Sequence, residues 1–349
     1  MTLRRLNELD LLRFLAAIAV VIFHYAFRGY AGGNMSVMPY PLMAEYAKYG
    51  YLGVELFFMI SGFVILMTAS GNNLKTFFIS RVVRLYPAFW ICCTITFLTT
   101  LAIGHPRYNA NAYQYFFNMT LLSDFMGVPS IDGVYWSLFV EIKFYLLISA
   151  LLAVKKIENI ENYLVLWLII SAITEAIGLG KIRSILITDY SAYFIAGATF
   201  YLTWTEGLNK TRIFLLTGTL ALACFTAMKF AKLLETIYPT HFSPLIICSI
   251  ITMFFIILHF IATNKTTAFG AMRWTALGSL TYPLYLLHQM IGFMIFNVAY
   301  PTVNPHLLLW GTVALMVLAS YIIHKKIETP LAYSLNKFLT SSFIRARAK

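Results

Sequence analysis

The sequence predicts an all-α protein: a polytopic bundle of about ten transmembrane helices with both termini in the cytoplasm. Three observations carry this. The 349 residues are 60% hydrophobic and 11% charged, against about 25% charged in a typical soluble domain. The apolar residues gather into ten runs of about 17–23 residues, each long enough to cross a bilayer with some tilt. The basic residues are distributed unevenly between the connections, as expected when positive loops stay inside.

The runs lie at 9–27, 50–69, 82–103, 134–154, 162–179, 186–204, 211–228, 243–262, 277–297 and 306–324. Arg4 and Arg5 before the first run give it the look of a signal peptide. Glu8, Asp10 and Arg13 interrupt it, however, and no small-x-small site follows, so it is read as the first span. An inside N-terminus places seventeen Lys/Arg in cytoplasmic segments and seven outside, with Arg13 and Lys143 within spans. The fifth and sixth runs are the least distinct, because a short charged link, GLGKIRSILITDY, separates them. Two outer loops are long, 28–49 and 104–133. The remaining links are short, which favours one bundle domain over residues 1–330. The segment 331–349 is a basic cytoplasmic tail, with Arg345, Arg347 and Lys349 suited to the inner leaflet.

The formal net charge of +12 is explained by this inside bias rather than by nucleic-acid binding. The four cysteines have no metal-type spacing and form no disulfide framework, so no metal is expected. There is no P-loop and no hydrolase elbow.

The informative residues are polar ones inside apolar runs, where ionisable groups are costly. In LDLLRFLAAIAVVIFHY, Arg13 and His24 are eleven residues apart. On a helix they return to within roughly 20° of one stripe, roughly 16 Å apart along the axis. Asp10 is one turn before Arg13, close enough to pair with it. Both cations also fit a plainer role, reaching to opposite headgroup layers. In GYLGVELFFMISGFVI, Glu55 lies near the outer end, and Ser61 and Gly62 offer a small surface for close helix packing. Arg81 and Arg84 in ISRVVRLYPAFW share one face at the cytoplasmic boundary. They are either ordinary anchors or a bidentate grip for phosphates. Ser137, Glu141 and Tyr145 follow i, i+4, i+8 after Trp136. Glu141 lies about five residues into its span, too deep for a short acidic side chain to reach water. His288 sits near the middle of the ninth run, after Pro283, as a core histidine or a functional one. Glu175 and His259 are read as structural.

By chemistry alone these features fit two classes. One is a secondary transporter for a small anion or sugar, with a proton relay. The other is a membrane enzyme that takes a phosphate-bearing donor from the cytoplasm and uses a histidine as general base.

The motifs narrow the choice. LDLLRFLAAIAVVIFHY resembles the opening of the acyltransferase-3 family of membrane acyltransferases, with its Arg, ten residues, His signature. GVELFFMISGFVI, FFISRVVRLYPAFW, WSLFVEIKFYLL and YPLYLLHQM are similar to that family's later motifs, in order, over residues 9–290. Glu55 stands where the family often has Asp, and Ile142-Lys143 follows Glu141 where a second Glu is common. The resemblance is to the stand-alone type, without an extra extracytoplasmic domain.

The resemblance implies an O-acyltransferase of a plasma membrane, the inner membrane in bacteria. Acetyl-CoA or another short acyl-CoA would be the co-substrate, with no permanently bound cofactor. A hydroxyl of an extracytoplasmic carbohydrate, such as a polysaccharide, lipopolysaccharide or lipid-linked saccharide, would be the acceptor. Arg81 and Arg84 would contact the CoA phosphates, and Arg13 would steer the donor's inner portion. His24 would be the general base, and Glu141 would orient a histidine or bind sugar. Asp10, Glu55, Trp136, Ser137, Tyr145 and His288 would support the site or the acceptor. Direct transfer is expected, with an acyl-enzyme on Ser137 or His24 as the other route.

Overall fold

The structure, a computed structural model, describes residues 6–33 and 35–347, without the side chains of 267, 268 and 342–347. The expected roles of Arg4, Arg5, Arg345, Arg347 and Lys349 therefore lie outside the described residues and side chains. Among the described residues the chain is helical with no strand. The long helices are α1 (Asn7–Phe23), α2 (Gly53–Ser70), α3 (Leu74–Ile103), α4 (Trp136–Ala153), α5 (Ile160–Ile177), α6 (Thr188–Glu206), α7 (Lys210–Ile237), α8 (Pro244–Ala262), α9 (Thr275–Ala299), α10 (Pro305–Ile323) and α11 (Thr329–Arg347).

Every apolar run predicted from sequence is a helix, α1 to α10 in order. Eight helical stretches are long and apolar enough to cross a membrane; α6 and α9 are not among them. Of these two, α6 is largely buried. Fourteen of the nineteen residues of α6 are buried, including Thr188, Ser191, Thr199 and Thr203. Its threonines bond to carbonyls one turn back, Thr199 to Ile195 and Thr203 to Thr199, at 2.8 and 2.9 Å. A helix wrapped in protein can carry such residues, whereas a lipid-facing helix leaves polar groups unpaired. The whole protein is a multi-pass membrane protein.

Helix ends differ from the sequence boundaries in one way that matters for the site. α3 has 30 residues and begins at Leu74, eight residues before the predicted run. At 1.5 Å per residue it is about 45 Å long, well beyond a hydrocarbon core of about 30 Å. Arg81 and Arg84 thus sit within its second and third turns rather than at its start. The segment after Pro330 is also a helix, α11, which packs on α3. Pro330 lies just after the π turn His324–Glu328, in a helix that runs on from α10 without a break.

The chain forms two compact, interleaved units. The first comprises residues 1–20, 49–73 and 140–278, and the second 21–48, 74–139 and 279–349. In the first, α6 is the central element and packs on α2, α5, α7 and α8. Its contact with α2 depends on glycine: a Cβ on Gly62 would strike the Phe194 carbonyl, and one on Gly197 the Met59 carbonyl. This is the close approach expected of small residues in membrane helices. Asp10 is buried against Gly278, and Glu8 accepts from the Thr266 hydroxyl at 2.8 Å.

In the second unit the two long loops are tied down. Asn297 on α9 accepts from Val37 N–H at 2.9 Å and donates to Met35 O at 3.0 Å. Tyr40 meets His306 at 2.7 Å. Tyr86 and Trp90 on α3 donate to the carbonyls of Thr120 and Met119 at 2.8 and 3.0 Å.

Candidate functional site

A polar chain in the second unit joins two histidines that are 264 residues apart in sequence. α1 runs on into a five-residue π turn, His24–Arg28, closed by the Gly29 N–H donating to the His24 carbonyl. Such turns occur mostly as single insertions, frequently at functional sites. α9 approaches this turn closely. A Cβ on Gly29 would lie 2.7 Å from the Phe293 ring, and the Tyr25 hydroxyl donates to the His288 carbonyl at 2.7 Å.

The geometry assigns the protons. His288 is fully buried, and its Nδ1 lies 2.9 Å from Tyr285 O and 3.2 Å from Leu284 O. Carbonyls only accept, so Nδ1 carries the hydrogen. Nε2 of a neutral His288 then holds a lone pair, and it faces His24 Nδ1 at 3.1 Å. His24 must donate there, which leaves its Nε2 as the lone-pair nitrogen. A second-layer partner setting the tautomer of a working histidine is a recurrent arrangement.

Arg28 stands on the far side of this nitrogen, its guanidinium 3.4 Å from His24 Nε2. Arg28 Nε and Gln289 Oε1 are buried with no hydrogen-bond partner among the described residues. Unpaired buried polar atoms are uncommon in folded proteins. The Arg28 donor belongs to the guanidinium that neighbours the basic nitrogen of His24, and Gln289 lies next to Gly133.

Asp132 holds the turn before α4 and the helix behind His288 together. It caps Val134 N–H and accepts from Met290 N–H, both at 3.1 Å. Burial pushes its carboxyl up to about 7, against the opposing pull of those two N–H groups and of Arg28. Ser137 donates to Val134 O at 3.1 Å and shares a 2.7 Å hydrogen bond with the Tyr285 hydroxyl. Trp136 opens α4 and is half-buried.

The predicted stripe on α4 is therefore divided. Glu141 belongs to the first unit, where it accepts from Tyr145 at 2.7 Å and from Ser61 at 2.9 Å. Ser61, read from sequence as a packing residue, makes a polar contact as well. Lys143 bonds to Ser184, away from Glu141. Arg13 is half-buried on the first-unit part of α1. Glu55 is buried in the first turn of α2.

At the other end of α3, Arg84 pairs with Glu328 at 3.3 Å and lies over the Tyr282 ring. Arg81 donates to Ser80 Oγ at 3.1 Å and lies over Phe77. Glu328 ends a second π turn, His324–Glu328, and also accepts from His324 Nδ1 at 2.8 Å.

Arg28, Asp132 and Gln289 were not singled out from sequence. Arg28 is four residues after His24, a spacing visible in HYAFR, but a positive-inside count treats it only as an outer charge. Asp132 stands where an N-cap is expected before a helix. Gln289 follows His288 directly. Among the described residues no group of three His, Cys, Asp or Glu side chains is placed to hold a metal.

Comparison with known proteins bears on the chain as a whole. A family described as an acyltransferase domain matches residues 6–325. A peptidoglycan O-acetyltransferase of Listeria monocytogenes is 27% identical over 374 aligned positions, covering 93% of this chain and 55% of that protein. An O-acetyltransferase of Staphylococcus aureus is 32% identical over 41% of this chain and 24% of its own length. Nodulation protein 10 of Rhizobium leguminosarum is 28% identical over 42% of this chain and 44% of its own. The chain thus spans about half the length of the first of these relatives. No solved structure matches the chain.

Proposed function

The chain belongs to the acyltransferase-domain family, and on that premise we propose that it is a membrane O-acetyltransferase. It moves an acetyl or other short acyl group from cytoplasmic acyl-CoA to a carbohydrate hydroxyl on the far side of the membrane. The observation that carries this reading is the His288–His24 pair with Arg28 at its end. The His24 imidazole is held from behind by His288, with the Arg28 guanidinium 3.4 Å from its Nε2.

The sugar hydroxyl donates to His24 Nε2. As its oxygen attacks the thioester carbonyl carbon, the proton passes to Nε2 and the carbonyl oxygen gains negative charge. Arg28 neutralises that charge, the kind of stabilisation aimed at a developing oxyanion. The carbon–sulfur bond then breaks, and the CoA sulfur takes the proton back from His24. A thioester is already activated, so a base and positioning are sufficient.

The other residues take supporting parts. Arg81 and Arg84 contact the donor's phosphates, and Arg13 its inner portion. Glu328 holds Arg84 until the donor arrives. Ser137 is bonded to a carbonyl and a phenol, neither of them a base, which favours direct transfer over a seryl ester, with an acyl group on His24 as the other route. The names of the relatives make peptidoglycan the first acceptor to try.

The test is transfer of radiolabelled acetyl from acetyl-CoA to glycan in sealed inverted vesicles, with release of free CoA measured alongside. Transfer with equal CoA release, abolished in His24→Ala at normal protein levels, supports the reading. Sugar or anion flux without CoA turnover overturns it in favour of a carrier.

A further inference from the structure

The first unit contains a second polar cavity, of about 280 Å³, which the mechanism above does not use. Its lining includes Glu55, Arg183, Asp189, Tyr190, Tyr193 and Lys229. The cations there already have partners. Arg183 Nε bonds to both Asp189 oxygens at 2.8 and 3.0 Å and lies 3.2 Å from Glu175, while Lys229 donates to Glu175 at 2.9 Å. Thr188 donates to the same Glu175 at 2.6 Å. Glu55 differs. It is 4% exposed, and its Oε2 has no hydrogen-bond partner among the described residues.

A buried carboxylate oxygen without a donor is costly, so the cavity favours an occupant that supplies one. The cations on the wall are balanced by Asp189 and Glu175, so neither an anion nor a free cation finds an unpaired counter-charge there. A neutral ligand with hydroxyl donors satisfies both sides. Its hydroxyls donate to Glu55 and accept from the N–H groups of Arg183 and Lys229 that their ion pairs leave over, since guanidinium has five and ammonium three. Tyr190 and Tyr193 supply aromatic surface for its C–H faces. The volume, at the small end of ligand pockets, suits one sugar ring.

We propose that this cavity is a subsite for a neutral sugar residue, with Glu55 as the acceptor of its hydroxyl hydrogens and the two tyrosines as its wall. The proposal rests on the reading of the acceptor as carbohydrate, and adds that its recognition involves a second site of neutral-sugar chemistry. On the topology expected from the charge count, the N-terminal end of α2 faces the extracytoplasmic side, where such a glycan is.

The test is direct binding to the purified full chain in lipid nanodiscs, by saturation-transfer NMR and titration. The probes are neutral N-acetylglucosamine, cationic glucosamine and anionic glucuronate. Wild type and His24→Ala bind the neutral sugar alike, and Glu55→Gln weakens it about tenfold. Should Glu55→Gln fail to fold, Tyr190→Ala on the wall carries the same expectation. Unchanged N-acetylglucosamine affinity in the Glu55 or Tyr190 variant overturns the proposal, as does tighter binding of glucuronate or glucosamine than of the neutral sugar. Because binding is read in His24→Ala, failure of acetyl transfer in wild type is scored separately and bears on the catalytic reading alone.

Discussion

The two π turns of the second unit make a matched pair. Each has five residues, each begins with histidine, and each ends with a charged residue at i+4: His24–Arg28 and His324–Glu328. They differ in their partners. His24 is buried, bonded from behind to His288, and faced by a cation whose Nε has no hydrogen-bond partner among the described residues. His324 is 31% exposed and bonded to a carboxylate that is also held by Arg84. The first turn ends in a basic nitrogen and open donors. The second closes into a charge-balanced His–Glu–Arg chain. On the proposed function the same local device would serve chemistry in one place and hold a charge-balanced chain in the other, and the partners supplied by other helices make the difference.

The comparison breaks most sharply at the first residue of each turn. His24→Ala should lower kcat by about 10³-fold, within the range for loss of a general base, whereas His324→Ala should stay within about threefold. Radiolabelled acetyl transfer at matched protein levels measures both. Similar losses in the two variants would mean that the turns are equivalent.

The fourth position comes next. Arg28→Ala should cost about 10²-fold in kcat with little change in acceptor KM, the signature of a group acting on transition-state charge. Arg28→Lys should recover part of that loss. A pure KM effect would instead make Arg28 a ground-state contact.

His288→Ala should lower kcat by roughly tenfold to a hundredfold, because His24 loses the acceptor that sets its tautomer. A pH–rate profile in which the basic limb is displaced as well as lowered would mark His288 as a positioning residue. A profile of unchanged shape would leave it a packing role.

In the second turn, Glu328→Gln should lower the KM for acetyl-CoA a few-fold by releasing Arg84, and Arg84→Ala should raise it about tenfold. Equal KM values in both variants would remove Arg84 from the donor site.

The smallest effect is on stability and reads the support behind the first turn. Burial raises the Asp132 carboxyl from its ordinary 3.8 to about 7. Between those values the folded protein keeps a proton that the unfolded chain has lost, so this residue's contribution to stability falls as pH rises through the window. The Tm of wild type relative to Asp132→Asn should decline from about pH 4 to about pH 7 and level off above. A pH-independent difference would place Asp132 in a solvated setting.

Much of the architecture was legible without coordinates. Long apolar runs have few alternatives to helices in lipid, because every backbone group must be satisfied within the segment. Arg13, His24, Glu55, Glu141 and His288 were conspicuous for a related reason: an ionisable residue in such a run is expensive and calls for an explanation. Hydropathy was a poorer guide for α6 and α9, which are surrounded by protein rather than lipid. The polar stripe on α4 was read as one unit because helical spacing is a local property. Ser137 and Glu141 nevertheless find partners on different helices, Tyr285 on α9 and Ser61 on α2.

The sequence by itself determined that this is a multi-pass helical membrane protein of the acyltransferase-domain family, and which residues carry unusual chemistry. Composition and run length are local quantities and are enough for the first conclusion; the family follows from motifs matched in order along the chain. Only the tertiary structure decided which of these residues meet. His288 reaches His24 across 264 positions, Arg28 rather than Glu141 is seen beside the catalytic candidate, and Arg84 shares Glu328 with His324. The partner of a buried polar group is chosen by which helices become neighbours, and no local pattern encodes that choice.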